Sequence, residues 1–349
     1  MDKLLTVIIP SCNMEKYLPK CLGSLMVAPE LMGRLEVLVV NDGSKDRTSE
    51  IAHEFAARYP DTFKVIDKPN GHYGSCINVG LAAATGAFVK VLDADDSFDT
   101  SALESHLRNL QQLDKEDVDV VFTDFVLVHE DGREGGTVRC GLPTESAFDL
   151  STVAKMPRLQ TMHTLTYRTS LLKGMDYRQT EGIPYTDNEW ALKPMRKAGK
   201  IVYRPLMLYR YLVGRVGQSV SSAQSVKNVR NLETILERML DEYRTAETDS
   251  SFRSYAAKFV THNARLVEEI AFFSLPLRAG QEKIRYLEGR ISKECPEAFK
   301  ALADAELDGR LRVKFIAGWR RRGGSAMVYM LFLRLAKWAI VKQRQLRGL

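Results

Sequence analysis

Short apolar runs alternate with segments of helical periodicity through the first hundred residues. The runs are Leu5–Ile9, Leu35–Val40, Phe63–Ile66 and Ala87–Leu92. Continuous runs of this length are typical of strands that are covered on both faces. Between them, apolar residues recur three and four positions apart from Tyr17 to Leu25 and from Ile51 to Ala56, which predicts helices. This alternation predicts an α/β fold with a mostly parallel central sheet and flanking helices, whose ligands bind beyond the carboxyl ends of the strands.

The pattern changes farther along the chain. Asp119–Val128 is a further strand candidate, followed by a turn at Glu130–Arg133, and helical periodicity dominates from about Ser225. We place a boundary in the loop-like composition of residues 215–228. The chain is therefore expected to hold an α/β domain over residues 1–220, a mainly α-helical region over residues 221–309 and a basic amphipathic tail over residues 310–349.

Composition and charge narrow the class of protein. With 349 residues, 45% hydrophobic and 27% charged, the chain resembles proteins that fold in water rather than disordered or multi-span membrane proteins. Five widely spaced cysteines without a C-x-x-C pair argue against a disulfide framework or a zinc site and favour a reducing cytosol. The net charge is +6, yet the last forty residues hold eleven Lys or Arg and no acid, so the preceding residues carry −5. This distribution indicates an anionic partner surface, either lipid or nucleic acid.

Three polar clusters follow predicted strands of the first domain. They are Pro10-Ser11-Cys12-Asn13, Asn41-Asp42-Gly43-Ser44 with Asp46 and Thr48, and Asp93-Ala94-Asp95-Asp96. Taken singly, the second reads as a turn before a capped helix and the third as an acidic turn. Taken together, carboxylates at neighbouring strand ends would repel one another without a cation. The grouping predicts a nucleotide site with Mg²⁺ or Mn²⁺ bound to the third cluster.

The order of these clusters and their residue sequences resemble those of the catalytic domain of glycosyltransferase family 2, which has the Rossmann-like GT-A fold. Asn41–Thr48 matches the family's N-D-G-S-x-D-x-T segment, and the stretch NGHYGSCINVG (70–80) matches its middle stretch with Asn78 and Gly80 in place. The resemblance implies that the donor nucleotide contacts the following residues: Pro10, Ser11, Asn13, Asp42, Asn78, Asp93, Ala94 and Asp95. It also implies that Asp93 and Asp95 hold the metal.

A second acidic motif, Tyr185–Trp190, resembles the acceptor site of the same family. The resemblance implies inversion, with Asp187 as the general base and Glu189 as the second choice; Asp187 is alternatively a helix cap. Two positions depart from the family pattern, because Thr186 replaces an acid and Ile77 replaces an Arg. Arg210, Arg215 and Gln218-Ser219 fall where a lid over the diphosphate commonly lies.

The function expected from this resemblance is transfer of a sugar from a nucleotide-sugar donor, with UDP as the likeliest carrier, to a hydroxyl group. The acceptor would be a glycan or lipid-linked saccharide in cell-surface polysaccharide synthesis, and the cofactor Mn²⁺ or Mg²⁺. A sugar-phosphate nucleotidyltransferase is an alternative, but Pro10–Asn13 stands where that class has a Gly-rich, Arg-containing loop. A non-catalytic membrane-binding or nucleic-acid-binding protein is a second alternative. No nucleic-acid-binding motif is recognisable, so no nucleic acid partner is expected.

The basic tail predicts peripheral contact with an anionic membrane. Ser325–Val341 is apolar except for Arg334 and Lys337, at the short limit for a spanning helix. We expect an interfacial helix with Trp319, Tyr329 and Trp338 near the headgroups and with the Arg and Lys side chains reaching anionic lipid. The alternative is a core helix packed on the first domain. The N-terminal apolar run is too short for a signal peptide, which favours a cytoplasmic protein at the cytosolic membrane face.

Overall fold

The computed structural model describes residues 2–215, 229–248, 250–307, 313–322 and 327–346. The chain divides into two units, Met1–Val216 and Gly217–Leu349. The first is α/β and the second is mainly helical, which confirms the predicted fold class.

Nine strands form one sheet within the described residues of the first unit. They are β1 (Leu5–Ser11), β2 (Leu35–Asp42), β3 (Phe63–Lys68), β4 (Phe88–Val91), β5 (Ser97–Phe98), β6 (Val120–His129), β7 (Glu134–Val138), β8 (Leu165–Arg168) and β9 (Ile201–Val213). The order is β3-β2-β1-β4-β8-β6-β9-β5, and β7 pairs with β6. Neighbouring strands from β3 to β4 are parallel, as are β6 and β9, whereas β8, β5 and β7 pair antiparallel.

The predicted apolar runs form one half of this sheet, from β3 to β4. The expectation that all four are covered on both faces is wrong for β3, which is an edge strand and only partly buried. Every residue of β2 and of β4 is buried, because helices cover both faces of a parallel sheet. The helices of this unit are α1 (Leu18–Gly23), α2 (Pro29–Met32), α3 (Thr48–Arg58), α4 (His72–Ala83), α5 (Thr100–Asp114), α6 (Leu150–Lys155), α7 (Thr169–Gly174) and α8 (Asp187–Leu192). The parallel strands therefore deliver their carboxyl ends, and the polar clusters that follow, to one edge of the sheet.

The second unit consists mainly of helices. They are α9 (Val229–Arg244), α10 (Ser251–Phe273), α11 (Leu277–Glu294), α12 (Pro296–Leu302), α13 (Phe315–Arg321) and α14 (Met327–Leu346), with a short pair of strands β10 (Glu306–Leu307) and β11 (Val313–Lys314). The side chain of Ser250 caps α10 by accepting from the backbone N–H of Arg253. Among the described residues, no helix combines the length and the hydropathy needed to cross a bilayer.

Candidate active site

The first and second polar clusters lie side by side at the sheet edge. The parallel register pairs Ser11 with Asn41 and Asp42 with Lys68, so β1, β2 and β3 end level with one another. The Asp42 carboxylate is almost fully buried and accepts from Lys68 Nζ at 2.5 Å and from the Gly71 backbone N–H at 2.8 Å. Lysine and backbone donors thus fix one oxygen of this carboxylate at the end of β2.

The loop after β1 holds the loop after β2 in place. The backbone N–H of Asn13 donates to Ser44 Oγ at 3.0 Å, and its side-chain oxygen accepts from the Lys45 backbone N–H at 2.8 Å. Asn13 adopts a left-handed conformation with φ of 55°, which asparagine tolerates better than most residues. Ser11 is buried and donates to the Ile9 carbonyl, while Pro10 is partly exposed at the end of β1. Asn13 therefore positions the Asp42 loop, and donor contact by Pro10, Ser11 and Asn13 stays a prediction.

The third cluster, Asp93–Asp96, forms a tight turn between β4 and β5, closed by the Asp96 N–H donating to the Asp93 carbonyl. Asp93 accepts from the Tyr73 hydroxyl at 2.9 Å. Asp96 accepts from the Tyr209 hydroxyl and from the Leu212 N–H, each at 2.6 Å. The side chain of Ala94 belongs to the hydrophobic core, so only its backbone faces the turn.

Burial and mutual repulsion shape the electrostatics of this turn. The pKa of Asp93 is raised, first by burial and then by the neighbouring Asp95, and that of Asp96 is raised for the same two reasons. Asp95 instead pairs with a cation, because Arg215 Nε lies 2.5 Å from its Oδ2 and both side chains are largely buried. The charge of Arg215 also acts to lower the pKa of Asp93, so one guanidinium group offsets part of the negative charge of this turn.

The first turn of α4 connects the end of β2 to the acidic turn. Gly71, just before the helix, donates to Asp42, and Tyr73 in its first turn donates to Asp93. His72 between them has φ of 63°. The same short segment therefore touches two of the three predicted clusters and holds their carboxylates at a fixed separation.

Asp187 is a partly buried carboxylate that acts electrostatically on the acidic turn. It is the first residue of α8, preceded by Thr186 at the cap position, so it is not itself the capping residue. Burial raises the pKa of Asp187, which two backbone N–H groups partly offset. Its charge in turn contributes to raising the pKa of Asp93 and of Tyr73, after burial.

Two predicted polar residues hold the preceding segment, residues 178–181. Glu189 is fully buried and accepts from the Thr180 N–H at 2.6 Å and the Thr180 hydroxyl at 2.7 Å, with Lys193 at 3.2 Å. Asn78 donates to the Gln179 carbonyl and to Glu181, and accepts from the Gln179 N–H. Glu189 is therefore a positioning residue for the segment that leads to Asp187, and donor contact by Asn78 stays a prediction.

Replacing Glu189 by Gln is expected to lower the free energy of unfolding by about 2 kcal/mol or more, because Thr180 and Lys193 lose a buried, charged acceptor. Urea unfolding of the first unit, followed by tryptophan fluorescence, measures the loss of stability. Exposed Glu145 provides the matched control, and Glu145→Gln should change stability by less than about 0.5 kcal/mol. Equal stability of the two variants would contradict the positioning role of Glu189.

The structure adds His163 to the acidic turn, a residue that the sequence analysis did not single out. Ligand atoms of Asp93, Asp96 and His163 all lie within 4.8 Å of one another. Burial lowers the pKa of His163 to about 3, so the ring is neutral and able to ligate a metal. Buried Lys90 donates to the His163 and Leu165 carbonyls and fixes the segment that contains His163. A lone histidine before a short strand carries no motif, so only the fold reveals it.

The donor set fits a divalent cation. Carboxylate oxygens and one neutral imidazole are ligands that Mn²⁺ accepts, and Mg²⁺ favours the oxygens. The pKa of Asp93 is raised mainly by burial, and a bound cation would favour its charged form. Both oxygens of Asp96 already accept hydrogen bonds and Asp95 pairs with Arg215, so the prediction that Asp93 and Asp95 hold the metal stays a prediction.

The predicted lid is only partly described. Arg215 reaches Asp95, as above, whereas Arg210 on β9 pairs with Glu134 at 3.1 Å. Gln218 and Ser219 lie outside the described residues. Ile77, the departure from the family pattern, is fully buried in α4 and serves the core.

Comparison with known proteins identifies the family of the first unit. The family model for glycosyl transferase family 2 matches residues 6–165, which include all three polar clusters. The chain carries a family 2 glycosyltransferase domain. Asp187 lies beyond the matched residues of this family 2 domain.

Curated relatives agree with the family 2 domain. An uncharacterized glycosyltransferase, the MG025 homolog of Mycoplasma pneumoniae, is 40% identical over 103 residues, 29% of this chain and 34% of that protein. Poly(ribitol-phosphate) beta-N-acetylglucosaminyltransferase TarS of Staphylococcus aureus is 27% identical over 219 residues, 62% of this chain and 37% of that protein. The aligned regions thus span only about a third of the length of these relatives.

Solved structures show the same fold over both units. TarS 1-349 in complex with UDP covers 92% of each chain with a TM-score of 0.64 at 21% identity. The mannosyltransferase PcManGT from Pyrobaculum calidifontis, in complex with GDP-Man and Mn²⁺, covers 95% of this chain and 86% of its own, with a TM-score of 0.54 at 15% identity. These likenesses confirm the GT-A fold predicted from the sequence.

Proposed function

We propose that this chain is a metal-dependent, inverting glycosyltransferase that moves a sugar from a UDP-sugar to a hydroxyl of a saccharide or lipid-linked saccharide in cell-surface polysaccharide synthesis. One observation supports this most: the first turn of α4 and the residue before it bind Asp42 and Asp93, and the charge of Asp187 acts on Asp93 and on Tyr73 of the same turn. Such a reaction needs a carboxylate that binds the nucleotide base, an acidic turn near the diphosphate and a carboxylate that takes the acceptor's proton, and these residues would supply them.

The donor would lie along the carboxyl edge of β1, β2 and β4. Asp42 accepts hydrogen bonds in the structure and would accept one from the nucleotide base, since uracil presents an N–H donor. Pro10, Ser11 and Asn13 would flank the base, and Asp93 would contact the ribose or a metal-bound water. Ala94 would contribute its backbone, and Asn78 would hold the wall formed by residues 179–181.

A cation held by Asp95 and Asp93 would neutralise negative charge on the diphosphate as it leaves. Arg215 occupies the Asp95 carboxylate in the structure, so it must turn away when the donor binds. Its guanidinium group could then bind a phosphate oxygen in the same bidentate manner in which arginine binds carboxylates. Arg215 would thereby exchange one anionic partner for another.

Asp187 would act as the general base. The acceptor oxygen forms a bond to the anomeric carbon while the bond from that carbon to the diphosphate oxygen breaks, and the acceptor's proton passes to Asp187. Attack from the face opposite the leaving group inverts the anomeric configuration, and no covalent enzyme intermediate forms. A raised pKa makes the Asp187 carboxylate a better proton acceptor than an exposed aspartate.

The carrier nucleotide and the acceptor class are proposed from the relatives. TarS structures contain UDP and UDP-GlcNAc, and the similar GgaB of Bacillus subtilis is named a minor teichoic acid biosynthesis protein. These names favour a UDP-sugar and a cell-surface polymer. We further propose that the protein works at the cytosolic face of the membrane, in peripheral contact with anionic lipid and without a nucleic acid partner.

Calorimetric titration with UDP, GDP and dTDP tests the donor site. We expect UDP to bind at least about tenfold more tightly with Mn²⁺ or Mg²⁺ than with EDTA, since phosphate oxygens would share the cation with the acidic turn. Tighter binding of GDP would redirect the proposal to a GDP-sugar, as in PcManGT. If no nucleotide binds with either metal, the glycosyltransferase proposal fails.

A further inference from the structure

Exposed apolar side chains of the second unit are concentrated on one face of α14. Its members are between 46% and 82% exposed, and they are Met327, Val328, Leu331, Phe332, Leu335 and Trp338. Their spacing at one, three and four residues places them on a single arc of the helix. We call this set the apolar face. Among the described residues, the one other large hydrophobic side chain that is exposed is Tyr286, at 61%.

The opposite side of α14 is anchored within its own unit, which fixes the apolar face outward. Met330 and Leu333 are buried, at 0% and 2% exposed. The Arg334 guanidinium donates to the carbonyls of Phe272 and Leu275, each at 2.7 Å, and so caps the C-terminal end of α10. Lys337 lies 3.3 Å from Glu269 on α10. The expectation that Arg334 and Lys337 reach lipid is therefore wrong, because both bind α10.

The position of two aromatic residues also corrects the sequence analysis. Trp319 is buried, at 5% exposed, so it does not reach a headgroup layer, whereas Trp338 is 61% exposed on the apolar face. Tyr329 is partly buried and packs edge-on against Phe272. Among the described residues of the tail, the exposed large apolar side chains thus all lie on α14, a narrower set than the sequence predicted.

The charge of the tail indicates which partner binds the apolar face. Residues 310–349 contain eleven Lys or Arg and no Asp or Glu. Arg320 is neutralised by Glu288 and Lys314 by Asp304, yet Arg321 is exposed beside the start of α14. A second copy of the chain would bring an equally cationic tail against this one, and the like charges would repel. An anionic bilayer offers both the apolar interior and the opposite charge.

We propose that the apolar face of α14 is the membrane-docking surface of this protein, lying in the plane of an anionic leaflet with Phe332 and Leu335 at its centre. This deepens the membrane contact proposed above and rests on that part of the proposed function alone. The helix lies on the bilayer rather than across it, because its other side is bound to α10. Docking would hold a soluble catalytic unit close to a lipid-linked acceptor.

Vesicle flotation of the full chain tests this surface. Phosphatidylcholine vesicles with phosphatidylglycerol should bind the wild type, and vesicles of phosphatidylcholine alone should bind it much less. Phe332→Gln/Leu335→Gln should weaken binding by about tenfold or more, because two large apolar side chains no longer enter the leaflet. Tyr286→Gln is the matched control, with an equally exposed aromatic residue off the apolar face, and it should bind like the wild type.

Tryptophan fluorescence gives a second readout that needs no substitution. Trp190 and Trp319 are buried, at 1% and 5% exposed, so Trp338 should account for any change on adding vesicles. We expect a blue shift with anionic vesicles and quenching by lipids brominated in their acyl chains. Absence of both effects in the wild type would overturn the proposal, even if the double variant failed to fold.

Two further measurements distinguish a membrane from a second copy of the chain, and separate this inference from the proposed function. Concentration-dependent dimers that the double variant abolishes, together with no vesicle binding, would overturn the membrane assignment in favour of a second copy. UDP binding measured in solution separates this inference from the proposed function. The double variant should keep UDP binding and lose vesicle binding, and loss of vesicle binding by Tyr286→Gln to the same degree would contradict the assigned surface.

Discussion

Replacing Asp187 by Asn is expected to reduce sugar transfer by about 10²- to 10⁴-fold, the range that a positioned general base contributes. The amide keeps the shape of the side chain and its place at the start of α8, but it cannot take the acceptor's proton. Donor binding should change little, because the role proposed for Asp187 concerns the acceptor's proton and not the nucleotide. Transfer rates and UDP titration on the same preparation measure the two effects separately.

The pH dependence of the wild type gives an independent check on Asp187. Burial raises its pKa above the ordinary value of about 3.9. Since only the ionised form accepts a proton, transfer should fall as the pH is lowered through this raised pKa, and Asp187→Asn should lack that acid limb. Asp176→Asn changes an exposed aspartate of the same unit and should behave as the wild type. Wild-type transfer by Asp187→Asn would contradict its role as the base.

Replacing Asp95 by Asn is expected to remove the metal dependence of donor binding. One carboxylate ligand becomes a neutral amide, and the turn keeps only Asp93 and Asp96, whose pKa values are already raised. UDP affinity in Mn²⁺ should then fall to about the value seen with EDTA, a loss of about 10- to 100-fold. Transfer should fall at least as much, because the leaving diphosphate also loses its neutralising charge.

A control separates this effect from a general change of charge. Asp131 lies in the exposed turn between β6 and β7, where it pairs with Arg133. Asp131→Asn removes the same formal charge and should leave the metal dependence unchanged. If Asp95→Asn retained the full effect of Mn²⁺, the metal would have to bind without Asp95, and Asp93, Asp96 and His163 form the described cluster that could hold it.

The sheet and the motif-bearing loops could be predicted because they depend on local signals. Continuous apolar runs predict strands, and β1 to β4 lie where those runs lie. Polar residues directly after such strands must reach the same sheet edge, which is why Asp42 and Asp93 meet around α4. The topology of the sheet is therefore enough to predict that this part of the site comes together.

The partners of each polar side chain could not be predicted in the same way. Arg215 meets Asp95 across 120 residues of sequence, and His163 joins the acidic turn only through the fold. Glu189 and Asp187 belong to one motif and both carry a carboxylate, yet the Glu189 carboxylate binds Thr180 and Lys193. Whether a carboxylate faces a ligand or a neighbouring loop depends on packing that the motif does not record.

The basic tail illustrates the same limit. Its charge and apolar run indicate an amphipathic helix, and α14 is one. However, Arg334 and Lys337 have acceptors on α10 that the sequence places about sixty to seventy residues away. Long cationic side chains reach several possible partners, so their destination follows from tertiary contacts rather than from periodicity.

Crystals grown with UDP and Mn²⁺ would test the central claim most directly, because anomalous scattering locates manganese without reference to any assumed role. The account predicts manganese at Asp93 and Asp95, the uracil against Asp42, and Arg215 withdrawn from Asp95 towards the diphosphate. UDP and manganese bound away from the first turn of α4, with the pair of Arg215 and Asp95 intact, would contradict it.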